Sequence, residues 1–235
     1  MTTTELQIWV GILGSLVTII VSVLGVLNFQ TRRLRAAAVG SAFRDIVDGL
    51  AAEDPTRRMA AAILIRRFFD KRSEQGAARQ AYAREAAAVM AGLLRKRQTD
   101  ATQKVLADGL RYAPSLRHAD LQQCNLAGAY WGSKEKRGGV DITEADFFKA
   151  DLAHASLKNA TASRATFLEA TLIGTVLIGA DLTNADFRKA HLDGANFDGA
   201  VLDGARFAGA VDIPDVVERR LDDQGRVVGQ VQNWR

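Results

Sequence analysis

One cysteine, three histidines and a long series of aspartates spaced by five are the residues through which this 235-residue chain could do chemistry. A metal site needs several such side chains converging on one point, and a nucleophile needs a base within hydrogen-bond reach. The sequence offers neither pattern. Cys124 fills a slot where Ala is otherwise usual, so it reads as a small core residue, and a single Cys allows no internal disulfide. His118, His154 and His191 are not separated by multiples of twenty, the longer period of the chain, so they should not stack into a common site. The aspartates occupy one repeated slot, where such side chains usually hydrogen-bond local backbone turns. A catalytic acid pair would need a departure from that repeat. There is no Gly-rich phosphate loop and no nucleophile-elbow motif. The expectation is a protein that is not an enzyme, with no catalytic residues, no cofactor and no metal.

The elements carrying these residues follow from period. From about Ala119 to Ala210 the chain repeats every five residues as Ala-(Asp/Asn/Thr)-(Leu/Phe)-x-x: ADLQQ from Ala119, ADLAH from Ala150, ADLTN from Ala180, ANFDG from Ala195. Five fits neither a helix, at about 3.6 residues, nor a strand, at about 2. In the same register Phe147, Phe167, Phe187 and Phe207 recur every twenty residues, as do Leu152, Leu172 and Leu192, with Leu157, Leu177 and Phe197 as a similar column.

These units resemble the pentapeptide-repeat family, over about two fifths of the chain. The resemblance implies a right-handed, quadrilateral β-helix with four pentapeptides to a coil and one to each face. Residues twenty apart would then stack inside, and the Ala two places before each central residue would face inward where only a small group fits. Coils would pair at the usual strand separation of about 4.8 Å and grow as a stack, with a filled core and no interior room for a substrate. Between Trp131 and Ile142 the spacing changes to eleven and takes in SKEKRGG, which predicts a polar loop bulging out. Such a loop is either a functional site or an unselected insertion. Ala162 interrupts the column Ile142, Ala162, Leu182, Leu202, predicting a local void or an inward-shifted backbone.

The N-terminus reads differently. Ile8 to Phe29 carries no charge and, as a helix, would match a hydrocarbon core of about 30 Å. A transmembrane helix is expected there, since MTTTELQ lacks the basic leader of a signal peptide. Arg32, Arg33 and Arg35 follow it, so the positive-inside bias places the N-terminus outside and the rest in the cytoplasm of a bacterial cell. Gly11, Ser15, Thr18, Ser22 and Gly25 fall on one face of that span. They form either a helix-packing stripe for self-association or the small residues common in any membrane helix.

From Leu34 to about Tyr112 the chain is rich in Ala, Leu and Arg at helical spacing. Asp54 and Pro55 mark a start, as N-cap and first helical residue. A second helix is expected from about Gly76 to Arg97, and a third, capped by Thr99 or Asp100, ends before Pro114. LAAEDPTRRMAAAILIRRF resembles a HEAT-type unit, with weaker copies after it. The basic excess suits either a solvated face or contact with anionic lipid headgroups. Nucleic acid is not expected, for want of an aromatic stacking set.

The expected fold class is multi-part: a transmembrane helix over 1–31, an all-α, HEAT-like basic segment over 32–113, the β-helix over 114–212, and a capping tail over 213–235 with a hairpin near Asp223 to Gly225. Leu168, Ile173, Val176 and Ile178 would point outward within one coil as an apolar belt fit for a protein partner. The function these readings imply is a single-pass, membrane-tethered scaffold for protein–protein contacts, with self-association through the span or the belt. The family resemblance adds a DNA-mimic binder of a topoisomerase such as gyrase. Mimicry calls for a strongly acidic surface, and Lys149, Lys158, Arg164, Arg188, Lys189 and Arg206 offset it. A membrane-perturbing effector is a third reading, resting on the small-residue stripe.

Overall fold

A computed structural model describes residues 30–31, 33–34, 36–70, 72, 82–96, 100–135 and 138–228. The chain divides into two units, Met1–Asp45 and Ile46–Arg235. In the first, residues 36–45 are helical. Among its described residues the second holds helical residues 46–50, three longer helices, a β-helix and a C-terminal tail with one short helix.

Two expectations are corrected here. Among the described residues no helix is long and apolar enough to cross a membrane. The transmembrane helix in the expected fold class, and the single-pass cell-membrane location with its outside N-terminus, therefore lack support. The physical reason is length and charge. Helix α1 (Pro55–Leu64) spans only about 15 Å at about 1.5 Å per residue, half of a hydrocarbon core, and the helical residues 36–45 include Arg44 and Asp45. The stretch 8–29, with Gly11, Ser15, Thr18, Ser22 and Gly25, lies outside the described residues.

Helix α1 starts as its sequence directs. The Asp54 carboxylate accepts the amides of Thr56 and Arg57 at 3.0 and 3.2 Å, and Pro55 takes the first position, where no N–H is needed. A 3-10 turn, Ile65–Phe68, continues it. Helices α2 (Ala83–Leu94) and α3 (Asp100–Leu110) follow, and α3 packs on both α1 and α2. Ala62, Ile65, Phe68, Ala86, Met90, Leu106 and Leu110 are sealed between them.

From Leu116 the chain winds into a four-sided parallel β-helix. Asp146 pairs with Thr166, Thr166 with Asp186 and Asp186 with Arg206, one rung per coil, and the other faces do likewise. The stacked phenylalanines line up: Phe147, Phe167, Phe187 and Phe207 are face to face with centroids 4.9 Å apart at each step and planes within 10°. Leu116, Leu121, Leu126 and Trp131 begin the four columns. Two of the residues that replace Ala in the slot two places before a central residue are Thr175 and Cys124. Thr175 is fully buried and its hydroxyl donates to the Leu152 carbonyl at 2.8 Å, while Cys124 lies in the core with its thiol against the Ala91 carbonyl at 3.4 Å.

Each side ends in a tight turn closed by a bond such as Ala170 N–H to Phe167 O, at 3.1 Å. From Ile142 on, the second residue after each central one takes a left-handed φ, as at Lys149, Asn159, Glu169 and Gly199. The Asp or Asn preceding the central residue steadies this turn, accepting the amide two residues on: Asp146 from Phe148, Asp151 from Ala153, Asp181 from Thr183. The repeated aspartates thus serve the backbone.

The insertion after Trp131 leaves the ladder intact. Asp120 pairs with Asp146 and Tyr130 with Ser156, a separation six residues longer than in later coils. The loop rejoins through Ser133 N–H to Lys158 O and Gly139 N–H to Asn159 O. At Ala162 the ladder keeps its spacing: its amide reaches the Asp181 carbonyl at 2.8 Å, the same as its neighbours.

At the far end, a short helix α4 (Asp215–Glu218) buries Val217, and an antiparallel bridge joins Leu221 to Val227. Phe207 N–H donates to Gly225 O, and Val227 N–H to Ala205 O, closing the last coil. Gly225 is required there. Its φ is +67°, and a Cβ would come within 2.8 Å of the Ala208 nitrogen.

The open end of the first coil is met by the helices. Backbone groups of the first rung have no earlier coil to pair with, and an exposed row of them is an aggregation hazard. Arg95, at the end of α2, donates to the carbonyls of Asp120 and Gln122 at 3.0 and 2.9 Å. Asn125 N–H donates to Leu94 O, and Gln103 donates to the Asn125 and Ala127 carbonyls. Asp108 accepts Tyr130 N–H at 2.7 Å, Arg111 donates to Gly132 O, and the Trp131 indole donates to Ala107 O at 2.7 Å. The basic helical segment is the N-terminal cap of the solenoid.

Candidate interaction surface

The core of the solenoid is filled, so what it presents is its outer faces. The four faces are named by their central columns: Phe147, Leu152, Leu157 and Ile142. Leu168 lies on the Phe147 face and Ile173 on the Leu152 face, whereas Val176 and Ile178 flank Leu177 together on the Leu157 face. Ile173 is exposed and the other three are half-buried. The structure brings Val176 and Ile178 together and places Ile173 around one corner from them and Leu168 around two.

A denser set lies at the capped end. The Arg66 guanidinium sits 4.4 Å from the Tyr112 ring centroid, and Arg111 lies 5.6 Å from Tyr112 and 4.9 Å from Tyr130. Both tyrosines are about half exposed, at 51% and 47%. Gly109 makes this possible: a Cβ there would meet the Met90 methyl at 2.6 Å and the Arg66 stem at 3.4 Å. An open cleft of about 650 Å³ runs beside the set, lined in part by Ile63, Arg66, Arg67, Tyr112 and Pro114. Tyr130 pairs with Ser156, and Ser156 with Val176, so the Arg–Tyr set continues down the Leu157 face to Val176. Stacked guanidinium and tyrosine are the side chains that dominate protein interfaces, because large contact area is already ordered before binding. Sequence reading missed Tyr112 and Tyr130, which meet only once α3 docks on the first coil. The adjacent Arg111 and Tyr112 were the one local signal.

Charge along the corners alternates in sign. Glu144 accepts His118 at 2.9 Å and Arg164 at 3.3 Å, and Glu169 lies between Lys149 and Lys189 at 3.4 and 3.8 Å. Among the described residues no three of His, Cys, Asp and Glu converge as a metal site requires. Burial pushes the Cys124 thiol up to about 11, against the pull of Arg95, so it stays protonated. Asp186 is the most enclosed carboxylate, its side chain 7% exposed between Arg188 at 2.7 Å and Arg206 at 2.9 Å. Burial alone would raise its pKa, but the Arg188 side-chain and backbone hydrogen bonds and the two cations outweigh it and hold the carboxyl below its usual range. A depressed folded pKa gives stability that is full above the unfolded value, about 3.9, and is lost as pH falls through the folded one. Acid titration of unfolding free energy should therefore show a decline below about pH 4 that Asp186→Asn reduces. An identical slope in the variant would assign the decline to other carboxylates.

With fold and surface in place, the comparisons are specific about the repeat. The description of pentapeptide repeats matches residues 141–179 and 180–211, in eight copies. This part of the chain is a run of pentapeptide repeats. No curated protein matches the chain. Among solved structures it is similar to HetL of Nostoc sp. strain PCC 7120, a pentapeptide repeat protein involved in heterocyst differentiation regulation, at 30% identity over 41% of this chain and 52% of that one, with TM-score 0.35. It is also similar to the pentapeptide repeat protein Rfr23 of Cyanothece 51142, at 28% identity over 32% and 62% with TM-score 0.22. Full-length QnrB1, a plasmid-mediated fluoroquinolone resistance protein, matches at 18% over 41% and 62% with TM-score 0.27. The chain spans between 52% and 62% of the length of these three proteins.

Proposed function

We propose that the chain is a scaffold for protein–protein contacts, engaging its partner through the capped end and the Leu157 face. The observation that carries this is a packed interior beside an exposed, preordered Arg66–Tyr112–Arg111–Tyr130 set. Val176 and Ile178 extend that surface, Ile173 would add contacts for a partner that wraps one corner, and Leu168 only for one that wraps two. A DNA mimic needs unbroken acidity along the rod. Cations interleave with Glu144, Glu169 and Asp186 here, which speaks against it.

The test is affinity capture with the full chain against Tyr112→Ser with Tyr130→Ser. Both rings are half exposed, so the variant should melt within a few degrees of the parent. A partner captured by the parent is expected to fall at least tenfold in the variant, consistent with hot-spot losses of about 2 kcal/mol or more. Equal capture by both would sink the assignment of this surface.

A further inference from the structure

Among the described residues the helical cap leaves one face of the first coil bare. In every later coil three backbone groups per face point back to the preceding coil: the amide and carbonyl of the residue before the central one, and the carbonyl of the residue after it. Thr161 N–H reaches Val140 O, Thr161 O accepts Ile142 N–H, and Ser163 O accepts Glu144 N–H. On the first coil, the helices answer most of these groups on the faces of Leu121, Leu126 and Trp131. On the fourth face, centred on Leu116, the equivalent groups are the Ser115 amide and the carbonyls of Ser115 and Arg117. None of the three has a partner among the described residues.

That bare edge lies in a groove of about 610 Å³. Its opposite wall is the small-residue side of α2, with Ala87, Ala88 and Ala91, so among the described residues nothing bulky fills the gap. The rim is basic. Arg84 and Arg117 flank the groove, Arg84 has no carboxylate partner among the described residues, and the one lining carboxylate, Asp120, is held by Arg95 at 2.6 Å. Arg117 reaches Asp141 only at 3.8 Å.

We propose that an extended, acidic segment of a protein partner docks here, adding one strand to the edge at Leu116 and setting its carboxylates on Arg84 and Arg117. The inference rests on the scaffold reading and supplies the chemistry of the partner. Strand addition suits the site because main-chain hydrogen bonds give affinity while alternate side chains face the rim. A strand sits about 4.8 Å from the edge it joins, and the groove beside this edge holds about 610 Å³.

Fluorescence polarisation with the full chain and a fluorescein-labelled hexapeptide of alternating Asp and Val tests it. Binding is expected, weakening with salt, at least tenfold poorer for Arg84→Glu and for Ala88→Leu, which fills the groove from an exposed helical position. The same peptide with proline at its two central positions, and a Lys–Val hexapeptide, should not bind. No binding of the Asp–Val peptide, or binding indifferent to both variants and to proline, overturns the inference. So does a single-stranded oligonucleotide that competes with equal affinity, which would make the groove a general polyanion site. If the peptide fails while partner capture still depends on Tyr112 and Tyr130, only the inference falls. Absence of any captured partner removes the scaffold reading itself.

Discussion

Phe187→Ala should lower the unfolding free energy by about 3–5 kcal/mol, a loss at the top of the range for a core substitution. The ring is fully buried and stacks on Phe167 and Phe207 at 4.9 Å on either side, with Phe197 edge-on at 5.6 Å. Truncation loses the transfer energy of the ring and leaves a void between two rigid coils. Collapse is difficult there because the backbone bonds above and below, Phe167 N–H to Asp186 O and Phe187 N–H to Arg206 O, are both 2.7 Å and fix the coil spacing. Phe187→Leu, by contrast, places in this column the side chain that serves the neighbouring ones and should cost much less. Chemical denaturation monitored by circular dichroism would measure both. Equal losses, or a loss near 1 kcal/mol for alanine, would mean the stack relaxes and that coil spacing is set by something other than its core.

The repeat was legible in the sequence because a solenoid converts period into position. Phe147 to Phe207 share a wall for the same reason that they share a register, and Asp146, Asp151 and Asp181 accept turn amides because each holds the same slot. The left-handed turn residue was hidden because Lys149, Glu169 and His154 take it as readily as Gly199, so no residue type marks it. Grouping Leu168, Ile173, Val176 and Ile178 as one belt followed the coil, whereas a partner meets a face. Hydropathy proposed a membrane helix from composition alone, and among the described residues nothing of sufficient length and apolarity supports it. The cap was not legible at all. Its bonds join Arg95 to Gln122 and Asp108 to Tyr130, pairs with no period between them, so the basic segment read as a surface although Arg95, Lys104 and Arg111 are turned to solenoid carbonyls.

Trp131 is where cap and solenoid are locked, and its replacement gives the second large expected effect. The side chain is 1% exposed, its indole N–H donates to Ala107 of α3 at 2.7 Å, and it begins the column that runs through Leu157, Leu177 and Phe197. Trp131→Ala should cost about 3–5 kcal/mol, but unlike the loss at Phe187 it should be felt locally. Solenoids gain stability from nearest-neighbour interfaces, so undocking the helices need not open coils further along. In hydrogen exchange, the amides of α3 and the first coil should exchange on the order of 100-fold faster, while Phe167, Leu172 and Phe187 keep their protection. Trp131→Phe keeps most of the packing and removes the N–H donor, so it should shift the same amides by about 1 kcal/mol. Acceleration spread evenly to the last coil would show instead that cap and solenoid open as one cooperative body. In that case a partner binding at the capped end would stabilise the whole rod, and the stability of distant coils would report occupancy of the Tyr112–Tyr130 surface.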